Sequence, residues 1–547
     1  MSGAEIGAGQ LAGEPLEGLR LEDEPLVTGE KARVVGGVRN DLGRAQAIAL
    51  WGTSGTPISI ETSINQGLPG IDIIGLPDAA VSESRKRIRA ALSNLGIALR
   101  SAKLTVNLQP GAVKKVGTSF DLGIAVTMLV CEGLIPPNRA DDVVHCGELG
   151  LDGRILPVRG VLPTILTGLE AGFTRFIVPY GNRAEAELVP QAEIIAAGHL
   201  ADVVDAHGGR AAPSNTEPVP AVPSVRENVI EPTDLADVHG QHDARRALEL
   251  AAAGGHHLLM SGAPGAGKSM LAACLSGIVP PLTSDERIEV LALQSLAGCV
   301  EADELDDVAP PFEAPHHRTT ATAMVGGSRP GAIGVFSRAH RGVLFLDEAP
   351  EFSRDVLEAL RQPLESGSCD IHRAWGSVVL PAKFQLVLAA NPCPCGVAGS
   401  TQSCSCTPHV RRRYRQKLSG PLLDRVDIQL DVLPVTAADL RRDGPAESSA
   451  VVAERVREAR ERQTRRYADM PWNTNARAPG SYLREAFAFR SSETHILDRA
   501  LERGLLSMRG YDRVLRIAAT IADLAGRQRP DGDDVLAAAL LRMREAQ

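Results

Sequence analysis

The stretch that most constrains this chain is HHLLMSGAPGAGKSMLAACL, residues 256–275. An apolar run, a Gly-rich turn and a helix-forming run follow one another without a break. Within it Gly262, Ala263, Pro264, Gly265, Ala266, Gly267, Lys268 and Ser269 satisfy GxxxxGK[ST]. Glycines let successive backbone N–H groups curl around a phosphate without Cβ clashes, and the following helix adds the positive end of its dipole. Lys268 would then reach the β- and γ-phosphates, and Ser269 would ligate Mg²⁺. The run predicts a strand–turn–helix unit in an α/β domain that binds ATP and Mg²⁺.

Two further apolar runs fit the same sheet. GVLFLDEAPEF ends its apolar part at Asp347-Glu348, and FQLVLAANP ends at Asn391. In an open α/β sheet, ligands meet the carboxyl ends of the strands. Asp347 is therefore expected to hold the Mg²⁺ water shell and Glu348 to polarise the attacking water as general base. Asn391 is placed to orient that water.

The order of P-loop, Asp-Glu strand and strand-plus-Asn is that of AAA+ ATPases. Longer strings (APHHRTTATAMVGG, HRGVLFLDEAPEF, LEALRQPLESG, ANPCPCG, SGPLLDRVDI and RGYDRVLRIAATIADL) resemble the magnesium-chelatase-like ATPases of the ComM/YifB family. The resemblance runs from Ala45 to Arg544. It implies that Arg425 is an arginine finger projected into a neighbouring subunit, where it would stabilise charge on the γ-phosphoryl oxygens. It implies that Arg509 is the sensor-2 arginine, with Arg513 one turn on as the other candidate. It also implies a homo-oligomer, a hexameric helicase acting on single-stranded or branched DNA and promoting branch migration in recombination of incoming DNA. The alternative is a chelatase-type ATPase that remodels a protein partner. A nucleotide-gated binding module without motor output is disfavoured by the complete set of ATPase residues.

The chain has nine cysteines, an odd number, which argues against a disulfide framework. Cys393, Cys395, Cys404 and Cys406 crowd into residues 393–406. Four thiolates in one loop suit tetrahedral structural Zn²⁺. HVRRRYRQK follows at residues 409–417. Its Arg411, Arg412, Arg413, Arg415 and Lys417 are candidate contacts to a phosphate backbone. The formal net charge of −9 excludes a globally basic coat, so any DNA affinity must be local. Residues 369–383 read as two short strands around AWGS, and by resemblance they hold the position of the hairpin that points into the central pore of related hexameric helicases. Arg373 and Lys383 are candidate DNA contacts there.

Residues 45–206 alternate short apolar runs with helical stretches and resemble the domain shared by ribosomal protein S5 and the Lon protease. Ser119 aligns with the Lon nucleophile. The lysine that would activate it falls at Leu162, so the domain is expected to be degenerate and non-proteolytic. Arg85, Lys86, Arg87, Arg89 and Lys103 are its candidate basic surface. The fold class expected is α/β: an S5/Lon-like N-terminal domain at 45–206, an AAA+ P-loop domain at 231–434 and a helical C-terminal (lid) domain at 435–547. Residues 1–44 read as a disordered leader and 207–230 as a Pro-rich linker. The longest apolar stretch, Leu122–Cys131, is too short to span a bilayer. The N-terminus lacks the apolar core of a signal peptide, which leaves a cytoplasmic protein as the expectation.

Overall fold

The structure is a computed structural model describing residues 40–211, 216–221, 233–300, 308–328, 331–373, 376–396, 404–436 and 446–542. Most of the expected leader, residues 1–39, lies outside the described residues. The first strand, β1 (Leu42–Trp51), begins inside the stretch read as leader. Its alternation is carried by small residues: Gly43 lies so close to the next layer that a Cβ there would meet the Thr127 carbonyl at 2.1 Å.

β1 pairs antiparallel with β2 (Ser54–Asn65), and β3 (Gly70–Ile74), β4 (Lys103–Gln109) and β5 (Val143–His145) follow in the chain. β6 (Glu148–Leu149) and β7 (Ile155–Leu156) form a small separate pair, and β8 (Arg175–Pro179) and β9 (Glu193–Ala197) complete the region. The large sheet has seven strands in the order β3-β4-β2-β1-β5-β8-β9. The apolar stretch expected at 122–131 is the helix Asp121–Cys131, buried at every position. Eleven residues give about 16 Å of helix, and among the described residues no helix is long and apolar enough to cross a membrane.

The P-loop sheet contains β10 (Leu258–Ser261), β11 (Phe312–Glu313), β12 (Val343–Leu346), β15 (Gln385–Ala390) and β16 (Ile428–Asp431). They run parallel in the order β11-β12-β15-β10-β16. Successive side chains point to opposite faces of a strand. Met260, Phe345, Val387 and Ala389 accordingly enter one core, while Leu259, Leu344, Leu346 and Leu388 enter another. Both faces are covered, so these strands read as continuous apolar runs rather than alternating ones. β13 (Ser368–Arg373) and β14 (Gly376–Pro381) form the expected antiparallel hairpin. Ala374 and Trp375 at its turn lie outside the described residues. The hairpin rests on the β1–β2 turn: a Cβ on Gly376 would meet the Trp51 ring at 3.1 Å, and one on Gly52 would meet Val378 at 2.8 Å.

From Ser449 onward the long elements among the described residues are helices: Ser449–Arg466, Gly480–Phe487, Ser491–Glu502, Met508–Leu524 and Gly532–Arg542. They do not build a separate core. Val456, Tyr467, Leu515 and Val535 pack in the same cluster as Leu258 and Ile428 of the sheet. The helix Ser284–Ala297 likewise packs its Val290 and Leu291 against Val161, Leu162 and Ile165 of the N-terminal region. Part of the expected linker is docked too, because Pro218 lies against Gly198 and Pro220 against Gly181.

Candidate functional site

The P-loop joins β10 to the helix Lys268–Ser276. Gly265 and Gly267 take φ of +77° and +89°, conformations that would strain any side chain. Gly262 is required for a different reason: a Cβ there would meet the Val432 carbonyl at 2.3 Å. The turn therefore closes only with glycine at these positions.

Lys268 folds over the turn. Its Nζ donates to the carbonyls of Gly262 (2.8 Å) and Ala263 (2.9 Å) and to Asn391 Oδ1 (3.1 Å). Burial lowers its pKa, while Asp347 and then Glu348 act in the opposite sense. Because β15 lies directly between β10 and β12, Asn391, Lys268 and Asp347 come to one edge of the sheet. Ser269 Oγ donates to Asp347 Oδ2 at 2.7 Å. A hydroxyl and a carboxylate so close, next to a helix N-terminus and a lysine, are a donor set that fits Mg²⁺ and a polyphosphate.

Glu348 adopts φ +50° and ψ +43°. The left-handed region costs a non-glycine residue about 1–2 kcal/mol. Its backbone N–H is held by Asp347 Oδ1 at 2.8 Å, and its carboxylate lies 3.5 Å from His317 Nδ1. His317 was not singled out by sequence reasoning. The only signal is its place in the string APHHRTTATAMVGG.

The structure brings Arg425 and Arg509 to each other, not to this P-loop. Arg425 is ion-paired with Glu365 and donates to the Pro421 carbonyl. Arg509 lies 3.5 Å from Asp424, whose other oxygen accepts from Ser507 Oγ. Burial, and then the neighbouring Arg509, Arg361 and Arg513, lower the Arg425 pKa. Arg513 is ion-paired with the buried Asp427. Among the described residues, no hydrogen bond or ion pair connects Arg425, Arg509 or Arg513 to Lys268, Ser269, Asp347 or Glu348.

The four clustered cysteines converge. Sγ of Cys393 lies 3.2 Å from that of Cys395 and 3.7 Å from that of Cys404, with 3.5 Å between Cys395 and Cys404. All four ligand atoms, Cys406 included, fall within 4.8 Å of one another. A tetrahedron of Zn–S bonds of about 2.3 Å has S···S edges of about 3.8 Å, so the set has the size zinc requires. Residues 397–403 of the loop lie outside the described residues. Gly396, at φ +73°, sits on the P-loop, where a Cβ would meet Pro264 Cγ at 2.5 Å.

Thr407 then caps the helix Pro408–Arg415, with Tyr414 as its buried anchor. Arg412, Arg413 and Arg415 are exposed and Arg411 partly so. Among the described residues these four have no carboxylate partner. Lys417 differs, since it pairs with Glu351 at 3.2 Å and lies over the Tyr414 ring.

Three of the basic candidates, Arg87, Lys383 and Lys103, have other surroundings than the sequence suggests. Arg87, taken as surface, is a structural group that grips the buried Asp121 at 2.6 Å and 2.9 Å. Lys383 lies beyond the hairpin and lines a cavity on the other edge of the sheet. Lys103 is at the surface as expected, but its charge is met there by Asp72 at 2.8 Å. In the N-terminal region Leu162 is buried with its N–H on Ser295 Oγ. The buried Lys115, close in sequence to Ser119, spends its Nζ on the carbonyls of Leu108 and Pro110. Among the described residues no hydrogen bond joins Ser119 to a lysine.

Comparison with known proteins covers most of the chain. Residues 234–440 match the family described as magnesium chelatase, subunit ChlI; residues 60–182 match subunit ChlI of Mg-chelatase; residues 446–542 match the subunit ChlI C-terminal region. An uncharacterised protein of Mycobacterium tuberculosis is 44% identical over 512 residues, 92% of this chain and 98% of that protein. YifB of Escherichia coli, also uncharacterised, is 38% identical over 477 residues, 87% and 92% of the two chains. The competence protein ComM of Haemophilus influenzae is 38% identical over 484 residues, 88% and 93%. With the P-loop, the Asp347-Glu348 strand end and Asn391 gathered on one sheet edge, the chain belongs to the ComM/YifB family of magnesium-chelatase-like AAA+ ATPases.

Proposed function

We propose that this ATPase is a hexameric motor that moves on single-stranded or branched DNA, in keeping with its likeness to a competence protein. The observation that carries the reading is the helix Pro408–Arg415. Its four arginines have no carboxylate partner among the described residues, and the cysteine loop that carries it leans on Pro264 of the P-loop. A change at the nucleotide can thus reach a phosphate-binding surface through one short segment. In this proposal the chain comprises an S5/Lon-like region at 45–206, an ATPase region at 231–434 and a helical region at 435–547.

In this reading Gly262–Ser269 wraps the phosphates, Lys268 leaves its carbonyl partners for the β- and γ-oxygens, and Ser269 and Asp347 hold Mg²⁺. The metal, when bound, neutralises charge that develops on the transferred phosphoryl group. Glu348 takes the proton of the attacking water, His317 steadies its carboxylate, and Asn391 orients the water. Arg425 and Arg509 act together on the neighbouring subunit's nucleotide, which explains why they cluster away from their own P-loop. One Zn²⁺ held by Cys393, Cys395, Cys404 and Cys406 fixes the loop and has no catalytic role. The N-terminal region has no proteolytic role.

The deciding experiment is the ATPase rate of the full chain alone and with single-stranded, duplex and four-way-junction DNA. Stimulation of several-fold by single-stranded or junction DNA is expected. An unchanged rate with all three, in protein that hydrolyses ATP, contradicts the DNA reading and moves a chelatase-type action on a partner protein ahead.

A further inference from the structure

The edge of the P-loop sheet opposite the nucleotide site opens into a cavity of about 500 Å³. One wall is made by residues that immediately precede strands: Gly255 and His257 before β10, Gly342 before β12, Lys383 before β15 and Asp427 before β16. The other comes from Arg460 on the helix Ser449–Arg466, residues 471–474, 476 and 477, and Arg513 and Arg516 on the helix Met508–Leu524. β10 is four residues long, so this edge lies about 13 Å from the P-loop edge.

The charges lining the cavity do not balance. Its three carboxylates are each matched: Glu286 to Arg341, Glu365 to Arg425 and Asp427 to Arg513. Lys383, Arg460, Arg477 and Arg516 also line it, and among the described residues none of these four has a carboxylate partner. Two are held in place by backbone. Arg460 donates from Nε and Nη2 to the Ala252 carbonyl, and Arg516 donates from Nε to the Ala478 carbonyl. The guanidinium of Arg477 makes no hydrogen bond among the described residues, and the side chain is exposed where it lines the cavity. Burial lowers the pKa of all four groups, that of Arg460 to about 10, and Arg341 and Arg477 further lower that of Lys383. Trp472 lines the same space, and its buried indole N–H has no partner either.

We propose that this cavity is a second ligand site, distinct from the P-loop, that binds a condensed phosphate group, either free or carried by a nucleotide. Four cations without a carboxylate partner, set against Glu289, which shares Arg341 with Glu286, leave about three positive charges to meet the three to four negative charges of a pyrophosphate group. Arginine forks recognise phosphate oxygens in a bidentate manner that chloride cannot exploit. The volume falls in the range of small-molecule sites. An occupant would bridge Lys383 of the sheet edge to Arg460, Arg477 and Arg516 of the helical region, tying the two together. The proposal does not depend on the reading of the P-loop.

The test uses the full chain carrying Lys268→Ala, which weakens phosphate binding at the P-loop. Isothermal titration with inorganic pyrophosphate, and separately with ADP, is expected to show saturable binding tighter than about 1 mM. Equal affinities identify the phosphate group as the whole ligand, whereas tighter ADP binding places a base beside Trp472. Adding Lys383→Ala and Arg477→Ala should weaken binding at least about tenfold, as expected for losing charge-assisted hydrogen bonds. The ligand-free melting temperature should hold or rise, because two mutually repelling cations are gone. Arg477→Lys, which keeps the charge, should retain part of the affinity. No saturable binding of either ligand, or an affinity unchanged by the double replacement, overturns the proposal.

Discussion

Ser269 Oγ donates to Asp347 Oδ2 at 2.7 Å, joining the first turn of the P-loop helix to the end of a strand two places away in the sheet. The two oxygens lie as close as two ligands of one Mg²⁺ ion would. Ser269→Ala should therefore raise the Mg²⁺ concentration needed for half-maximal ATPase, by about tenfold for one lost ligand, with little change in fold. Titrating Mg²⁺ at saturating ATP measures it. An unchanged Mg²⁺ requirement would contradict the assignment.

The cysteine cluster should carry one zinc per chain. Elemental analysis of purified protein is expected to give close to one equivalent, and Cys393→Ser, which removes the most buried of the four thiols, should lose it and lower the melting temperature. Less than about half an equivalent, with no change in stability on chelation, would remove zinc from the account.

Arg411, Arg412 and Arg413 should each lower the salt dependence of DNA binding when replaced by Ala. Each phosphate contact contributes about 0.7 to 0.9 to the slope of log K against log salt. The triple replacement should thus reduce the slope by about 2 to 3 on every sequence alike, because backbone contacts carry no base information. Lys417 is already paired with Glu351, so Lys417→Ala should change the slope least. A folded triple variant with an unchanged slope would assign the helix to a solvated face.

Four histidines are held neutral by burial. Desolvation lowers His145 to about 3 and His207, His257 and His340 to about 4. Their folded pKa values lie below the unfolded value of about 6.5, so the unfolded chain binds more protons in between. The stability they contribute is complete above pH 6.5 and is lost as pH falls towards 4. The limiting slope is about 1.4 kcal/mol per pH unit for each group. Urea unfolding at pH 7.5, 6 and 5 should show falling midpoints across that window. A flat midpoint would mean that these rings are not neutral in the fold.

The parts of the site legible in the sequence are those whose chemistry is local. A P-loop needs its glycines and lysine in one short run, and Asp347 and Asn391 each end an apolar strand, so sequence order alone placed them together. The rest depends on distant pairing. Nothing near Arg87 in sequence says that the buried Asp121 will claim it. Glu351 is likewise far from Lys417 in the chain. β1 begins inside the expected leader because Gly43, Ala45 and Ala47 carry its buried face without a strong apolar signal. The docked prolines of the linker look like any Pro-rich spacer until Gly181 and Gly198 are seen beneath them. The cations of the second cavity come from separate elements, so no window of sequence shows them as a cluster.

In the proposed mechanism each active site is shared, with Lys268, Asp347 and Glu348 from one subunit and Arg425 from the next. Glu348→Gln should bind ATP and hydrolyse it poorly, and Arg425→Ala should bind it normally and lose about 10³-fold in rate, as arginines supplied in trans do. Mixing the two inactive variants tests the claim most directly. A ring with both variants can pair an intact Glu348 with an intact Arg425 across one interface, so ATPase activity should appear on mixing and peak near equal proportions. No recovery at any ratio, in mixtures shown to form mixed rings, would contradict it.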